Sequence, residues 1–360
     1  MKSPLFILKP CTISKHQDTL LIKHHQNYDN TDRTSVVVGN ETKEEYAITE
    51  EEAWWQGDSM HAPIHRVDSI HVYNDCKLTT GLMSLLTKHS IPMFIYNYHG
   101  YLMGAYDPRD PYPNGLVLRH QVLTSVDETS SIFIAKSILR SAFHNMLRTV
   151  QYYDRRDGKV SGNLGSMRQM LLELDFVEDR NSLMGTEGQF RRMYYETLDD
   201  ILPDDFKLGE RSYRPPTNAM NAAISFVNMQ LYTAVISECL RTQLNPTIGV
   251  LHAPGRHRYP LAWDVAEVFR PLLSEGLIIG MVRKKHLTLD DFDPSMNYAY
   301  LNDKGRKKMI RAFESRLRTT VHHRVLKRSV SYRRLIRLDL YGLIKYWIED
   351  EPFEPFKLWW

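Results

Sequence analysis

The sequence predicts an α+β protein: a small N-terminal β-rich domain joined by a Pro-rich linker to a larger all-α C-terminal domain. Three observations carry this. The hydrophobic period is short and strand-like up to about Tyr106, the segment DPRDPYPNG from Asp107 to Gly115 holds three prolines and ends in Asn-Gly, and helical patterns dominate from Leu116 onward. At 360 residues the chain exceeds a typical single domain and can bury more than one core.

In the first domain the runs TLLIKH, SIHVYN and PMFIYNY alternate with turn residues and are expected to be strands, with one helical insertion around Thr79 to His89. The acid-rich stretch Glu41 to Asp58 interrupts them. It reads as a loop or a partner-facing excursion, although Trp54 and Trp55 within it equally suit a core. The expected division is 1–106 as a β-rich domain, 107–115 as linker, 116–348 as helical domain and 349–360 as an aromatic tail. The tail sequence PFEPFKLWW is too apolar to rest in water, so it docks either on a partner subunit or back on its own helical domain.

The net charge of +3 does not by itself indicate nucleic-acid binding. Its distribution says more. From Lys304 to Arg337 there are thirteen Lys/Arg residues and one acidic residue, Glu314, a density able to neutralise several phosphates. Arg324, Lys327 and Arg328 are the candidates here, with a solvated face as the plain alternative for any one of them. Cys11, Cys76 and Cys239 are far apart in sequence and form no CxxC pair, which suits a reducing cytoplasm and neither a disulfide framework nor a zinc knuckle. The opening MKSPLFILKP is too short an apolar run for a signal peptide, and no run of about 18 apolar residues suggests a membrane span.

The segment Gly249 to Leu272, GVLHAPGRHRYPLAWDVAEVFRPL, carries the candidate chemistry. His252 lies in a Gly/Pro-bounded loop, and Asp264 and Glu267 stand three apart on a predicted amphipathic helix, hence on one face. Leu261, Val265, Val268 and Phe269 form its apolar side and leave the carboxylates near the margin. One imidazole and two carboxylates suit Mg²⁺ or Mn²⁺ better than structural zinc. In SLMGTEGQFRRMYY, Ser182 to Tyr195, two glycines bracket Glu187 within a helical pattern. Each costs about 1 kcal/mol relative to alanine. Close approach of another backbone or of a ligand would compensate, and Glu187 is a reasonable third ligand. A solvated glutamate beside tight helix packing is the alternative.

The order of GTEG, RPPTNAMNAAISF (Arg214 to Phe226), LNPTIGVLH (Leu244 to His252) and PLAWDVAEVFRP (Pro260 to Pro271), followed by SYRRLIRLDLYGLIKY (Ser331 to Tyr346) and a PF-containing aromatic end, resembles the CRISPR-associated integrase of spacer acquisition. The N-terminal runs and the Leu116 to Arg155 helix region also resemble that family's β domain and first long helix, so the resemblance spans nearly the whole chain. Motif style is closest to type I members, the I-B group.

The resemblance implies metal ligation by Glu187, His252 and Glu267, with Asp264 as companion carboxylate. Many members have Asp at the second acidic position, so Glu267 leaves the division of duty between Asp264 and Glu267 open. Asn218-Ala219 replaces a common Asp-Pro, which removes a carboxylate and leaves a loop or DNA-facing role there. The implied reaction is attack of a DNA 3′-hydroxyl on a phosphodiester, assisted by Mg²⁺ or Mn²⁺. Arg270 would offset charge on phosphorus, or is an ordinary surface arginine. Arg214 and Asn221 would position DNA or the loop. Implied partners are double-stranded DNA (prespacer and CRISPR repeat), a second copy of the chain bound through the β domain, and a small ferredoxin-like CRISPR adaptation protein. A general metal-dependent nuclease acting on branched DNA, and a catalytically silent DNA-binding scaffold, remain the other classes.

Overall fold

The β-branched and aromatic runs of the N-terminal region pair into two sheets, as residues that fit a pleated, half-buried surface should. The structure, a computed structural model, describes residues 2–24, 36–38, 55–56, 59–97, 99–108, 114–158, 160, 163–212, 215–252 and 258–359. Among these, the strands of this region are β1 (Ser3–Ile7), β2 (Cys11–His16), β3 (Thr19–His24), β4 (Val36–Val38), β5 (Trp55–Gln56), β6 (Ser59–Pro63), β7 (Val67–Val72), β8 (Cys76–Leu78), β9 (Met93–Tyr96) and β10 (Leu102–Tyr106). Helix α1 (Thr80–His89) falls where the sequence placed it. Thr79 starts it by accepting the Leu82 N–H, and Ser90 ends it in the left-handed region at φ 51°.

One sheet has the order β10-β9-β7-β1-β4, the other β5-β6-β3-β2-β8. The first is mixed, with β1, β7 and β9 parallel and the two edge strands antiparallel. Leu5, Ile7, Ile70 and Met93 of that sheet share a core with Ile13, Leu20, Ile22 and Met60 of the other and with Leu82 and Leu85 of α1. Cys11 and Cys76, remote in sequence, are register partners across β2 and β8 with their sulfurs 3.4 Å apart, and both are free thiols. Sequence spacing cannot reveal such a neighbour pair.

The helical region contains α2 (Gly115–Val126), α3 (Glu128–Asp157), α4 (Asn163–Glu173), α5 (Arg180–Asp199), α6 (Ala219–Cys239), α7 (Pro260–Arg270), α8 (Gly276–Arg283), α9 (Asp303–Arg318) and α10 (Tyr332–Glu349). Residues Met1–Pro111 with Arg306–Ser315 form one unit, and Tyr112–Gly305 with Arg316–Trp360 the other. Of the proline-rich segment, residues 109–113 lie outside the described residues, as do the side chains of Glu41 to Asp58 with both tryptophans.

Two expectations need correction. The helix expected from Leu116 to Arg155 divides at Asp127, whose carboxylate accepts the Ser130 N–H and so starts α3. The C-terminal region is not all-α either. Strands β11 (Thr320–His323) and β12 (Arg328–Ser331) form a hairpin inside the basic segment, its turn closed by Lys327 at φ 52°. The β-branched residues Thr320, Val321 and Val330 favour strand locally, and the density of charge hid that pattern.

Helix α6 is long and apolar enough to cross a membrane by composition, yet 89% of its most apolar window is buried inside the chain, so it is a core helix. The C-terminal tail also buries itself in cis. Phe353, Phe356 and Leu358 are buried, Phe356 stacks on Phe269 of α7 at 5.6 Å, and the Asn145 amide of α3 donates to both Val268 O and Phe356 O while its oxygen accepts the Leu358 N–H. The tail therefore braces the back of α7.

Candidate metal and catalytic site

Helix α7 supplies the densest polar cluster of the helical unit. It is buried on every side, and the expectation that Asp264 and Glu267 lie at its margin is corrected: they are 0% and 2% exposed. Burial of charge requires partners. Asp264 finds them in the loop ahead of the helix: its Oδ2 accepts the N–H groups of Val250 and Leu251 at 2.6 and 3.1 Å, and its Oδ1 accepts the His252 N–H at 2.9 Å. The His252 ring closes the set through Nδ1, 2.7 Å from the same Oδ1.

That loop is held from behind as well. Gln121 of α2 donates to Asn245 O and Ile248 O, and Ser131 of α3 donates to Val250 O. Gly249 lies so close that a Cβ there would meet Asp264 Oδ2 and Pro260 Cβ, each at 2.8 Å. Glycine is thus a steric requirement of this bend. Asp264 fixes the loop and the ring, and the second ring nitrogen, Nε2, becomes the atom with which His252 can ligate.

Glu187 and Glu267 come together through Arg191, whose role was not foreseen from the sequence. Arg191 Nε donates to Glu187 Oε1 at 2.5 Å, and its Nη2 donates to Glu267 Oε2. Arg191 sits one turn after Glu187, at i+4, and that spacing was the available signal. Glu267 Oε1 in turn accepts from Arg270 at 2.6 Å. Arg270 also donates to the Tyr195 hydroxyl at 3.1 Å and lies 3.6 Å from Glu275. Arg270 is therefore no surface arginine: it is 8% exposed and supports Glu267 from within. Glu275 belongs to a π-helical turn, Pro271–Glu275, which Pro271 favours by lacking an N–H and in which the Gly276 N–H reaches back to Pro271 O.

Electrostatics bind these groups into one site. Burial would raise the Glu267 carboxyl, but Arg191, Arg270 and His252 overcome it and hold the group at about 2. Burial would lower His252, but its hydrogen bond to Asp264 and the charges of Asp264, Glu267 and Glu187 raise it instead. The imidazole is thus within the field of both glutamates. Among the described residues no group of three or more His, Cys, Asp or Glu side chains stands placed to hold a metal ion, and Arg191 bonds to both glutamates. Gly185 and Gly188 admit no neighbouring backbone, since a Cβ at either meets nothing within 4 Å. The close-packing alternative is excluded, and the space beside Glu187 is open.

The remaining candidates separate. Asn221 is 0% exposed, accepts from Arg211 and the Ser212 N–H, and donates to Leu208 O and Glu210 O. It is buried and shapes the loop before α6, as the loop-positioning reading expects. Arg214 lies outside the described residues. Arg324, Lys327 and Arg328 occupy the exposed end of the β11–β12 hairpin, where Arg324 stacks over Trp359 at 5.8 Å. Other arginines of the basic segment are spent internally: Arg333 and Arg337 pair with the buried Glu238, and Arg316 lies over Tyr332.

The same architecture occurs in solved structures of other proteins. A casposase bound to integration product superimposes with a TM-score of 0.81 at 18% identity, covering 99% of this chain and 94% of that one. A Cas1 protein from Thermotoga maritima gives 0.79 at 25% identity, covering 97% and 98%. The chain belongs to the family described as CRISPR associated protein Cas1, whose model matches residues 7–315. It is 40% identical over 308 residues to CRISPR-associated endonuclease Cas1 3 of Thermodesulfovibrio yellowstonii, covering 85% of this chain and 93% of that protein.

Proposed function

We propose that this chain is a DNA endonuclease and integrase that inserts short prespacer DNA into a CRISPR array. The reaction is attack of a donor 3′-hydroxyl on a repeat phosphodiester. Glu187, His252 and Glu267 would hold a divalent cation, Mg²⁺ or Mn²⁺, and Asp264 would serve as the support of His252. The observation that carries this reading is the convergence of Glu187 and Glu267 on one guanidinium, within the field of an imidazole whose other nitrogen is fixed by a buried carboxylate. Two carboxylate oxygens and one imidazole nitrogen form a donor set suited to a hard or borderline cation.

When bound, such a cation supplies Lewis acidity to a phosphodiester and lowers the pKa of an attacking hydroxyl. The chain's own residues do the rest. Asp264 keeps the imidazole in one orientation and tautomer, Arg270 keeps Glu267 ionised and aimed, and Tyr195 and Glu275 hold Arg270 in turn. The exposed basic hairpin end suits contact with DNA phosphates. The proposed partners are a second copy of the chain through the β-rich unit and a small adaptation protein of ferredoxin-like fold, in a cytoplasmic complex whose type I, I-B character rests on motif style.

The reading is tested by replacing Glu187 and His252 with Ala, one at a time. Each replacement is expected to reduce strand transfer in Mn²⁺ by at least about 100-fold, since it removes transition-state charge stabilisation, while prespacer binding stays within a few-fold. Full strand transfer by either variant overturns it.

A further inference from the structure

We infer that Arg191 is an internal counter-ion that holds Glu187 and Glu267 together in the metal-free protein and gives up its place when a divalent cation binds. The inference rests on the reading of those glutamates and His252 as ligands, and adds to it a residue which that reading does not include.

Three observations point to exchange rather than permanent pairing. Among the described residues, the hydrogen bonds of Arg191 go only to Glu187 and Glu267. Its third nitrogen, Nη1, is buried without a hydrogen-bond partner, so the guanidinium bears an unmet desolvation cost at this position. Arg270 also has a buried nitrogen, Nε, without a hydrogen-bond partner, but it has contacts beyond the two candidate ligands: a hydrogen bond to Tyr195 and an ion pair with Glu275 at 3.6 Å. Glu267 has one oxygen on each arginine. A cation that reaches Glu267 competes with both arginines for its oxygens, and Arg191 is the one with no hydrogen bond beyond the two glutamates.

The helix turn before Arg191 is open at Gly188. A long helical side chain lies back over the preceding turn, where Gly188 stands three residues before it. Gly188 is exposed and nothing lies within 4 Å of where its Cβ would be. A cation bringing two charges in place of one is the stronger partner for a buried and a half-buried carboxylate, whereas Arg191 spares the metal-free fold from holding them unpaired.

The test is calorimetric titration of the full-length chain with Mn²⁺ alone, in wild type, Arg191→Met, Arg191→Gln and Glu187→Gln, with thermal melting of each. A unit charge at contact distance in a partly buried site is a large effect. Arg191→Met and Arg191→Gln are expected to bind Mn²⁺ about tenfold or more tightly than wild type, to melt lower without metal, and to gain more from Mn²⁺. Glu187→Gln is expected to weaken binding. Unchanged or weaker Mn²⁺ binding in both Arg191 variants, with Glu187→Gln still weakening it, overturns the counter-ion role and leaves the ligand assignment standing. Absence of Mn²⁺ binding in every protein, or binding indifferent to Glu187→Gln, overturns the ligand assignment and the inference together. Should neither Arg191 variant fold, wild-type crystals soaked in Mn²⁺ decide. A guanidinium withdrawn from Glu267 beside an anomalous manganese peak supports the exchange, and one still bridging both glutamates beside that peak overturns it.

Discussion

Asp264 and Glu267 are three residues apart on one helix, yet their surroundings give them different work. Asp264 is turned to the loop, where it satisfies three backbone N–H groups and one ring nitrogen, whereas Glu267 is turned to two arginines. The length of the Glu267 side chain lets it meet Arg191 from α5. Asp264→Ala would orphan the loop's donors, and Gly249→Ala would push a methyl into the same carboxylate. The first is expected to cost about 3 kcal/mol and the second about 1–3 kcal/mol in urea unfolding, with strand transfer falling in both. An Asp264→Ala protein of wild-type stability would contradict the positioning role. Residue types and spacing made Glu187, His252 and the α7 carboxylates visible in the sequence. Arg191 was hidden because its partners lie on two helices, and the constraint on Gly249 because it arises only once loop and helix fold together.

At the scale of elements, period was a good guide and charge a poor one. Helices α1 and α5 lie where the apolar spacing put them, because each buries a continuous stripe, such as Leu183, Phe190 and Tyr194 of α5, and α7 lies where it was expected although it is buried on every side. The basic segment misled. Its strands are short and its arginines divide between a buried partner, Glu238, and an exposed hairpin. The tail was legible as apolar but not by destination, and its anchor is Asp339 of α10, whose carboxylate accepts the Phe356 N–H. Burial pushes Asp339 up to about 8, with the Phe356 N–H pulling the other way. In the unfolded chain the group titrates near its usual value of about 3.9, so the native state holds a proton that the unfolded state releases. The stability this contributes is fully present below about pH 4 and is lost as pH rises through about 8. Asp339→Asn removes the titration while keeping an acceptor. The wild-type melting temperature is therefore expected to fall relative to that of Asp339→Asn between pH 5 and 8, and a constant difference across that range would contradict the account.

For the whole molecule, a net charge of +3 conceals an uneven surface. Reversing Arg324, Lys327 and Arg328 at the hairpin end is expected to weaken DNA binding at moderate salt and to reduce the slope of log affinity against log salt by about 0.9 for each phosphate that is no longer neutralised. An unchanged slope would place those three side chains in solvent. The chain belongs to the CRISPR associated protein Cas1 family and folds as two units. The central claim is that this site transfers a DNA end rather than only cutting. Hydrolysis has no need of a donor hydroxyl, whereas transfer depends on it. The most direct measurement compares joining of 3′-hydroxyl and 3′-dideoxy prespacers to a CRISPR repeat in Mn²⁺, by wild type and Glu187→Ala, with the small adaptation partner present. The account predicts joined product only for wild type with the 3′-hydroxyl donor. Repeat cleavage that proceeds equally with both donors and yields no joined strand would contradict it and make the protein a nuclease alone.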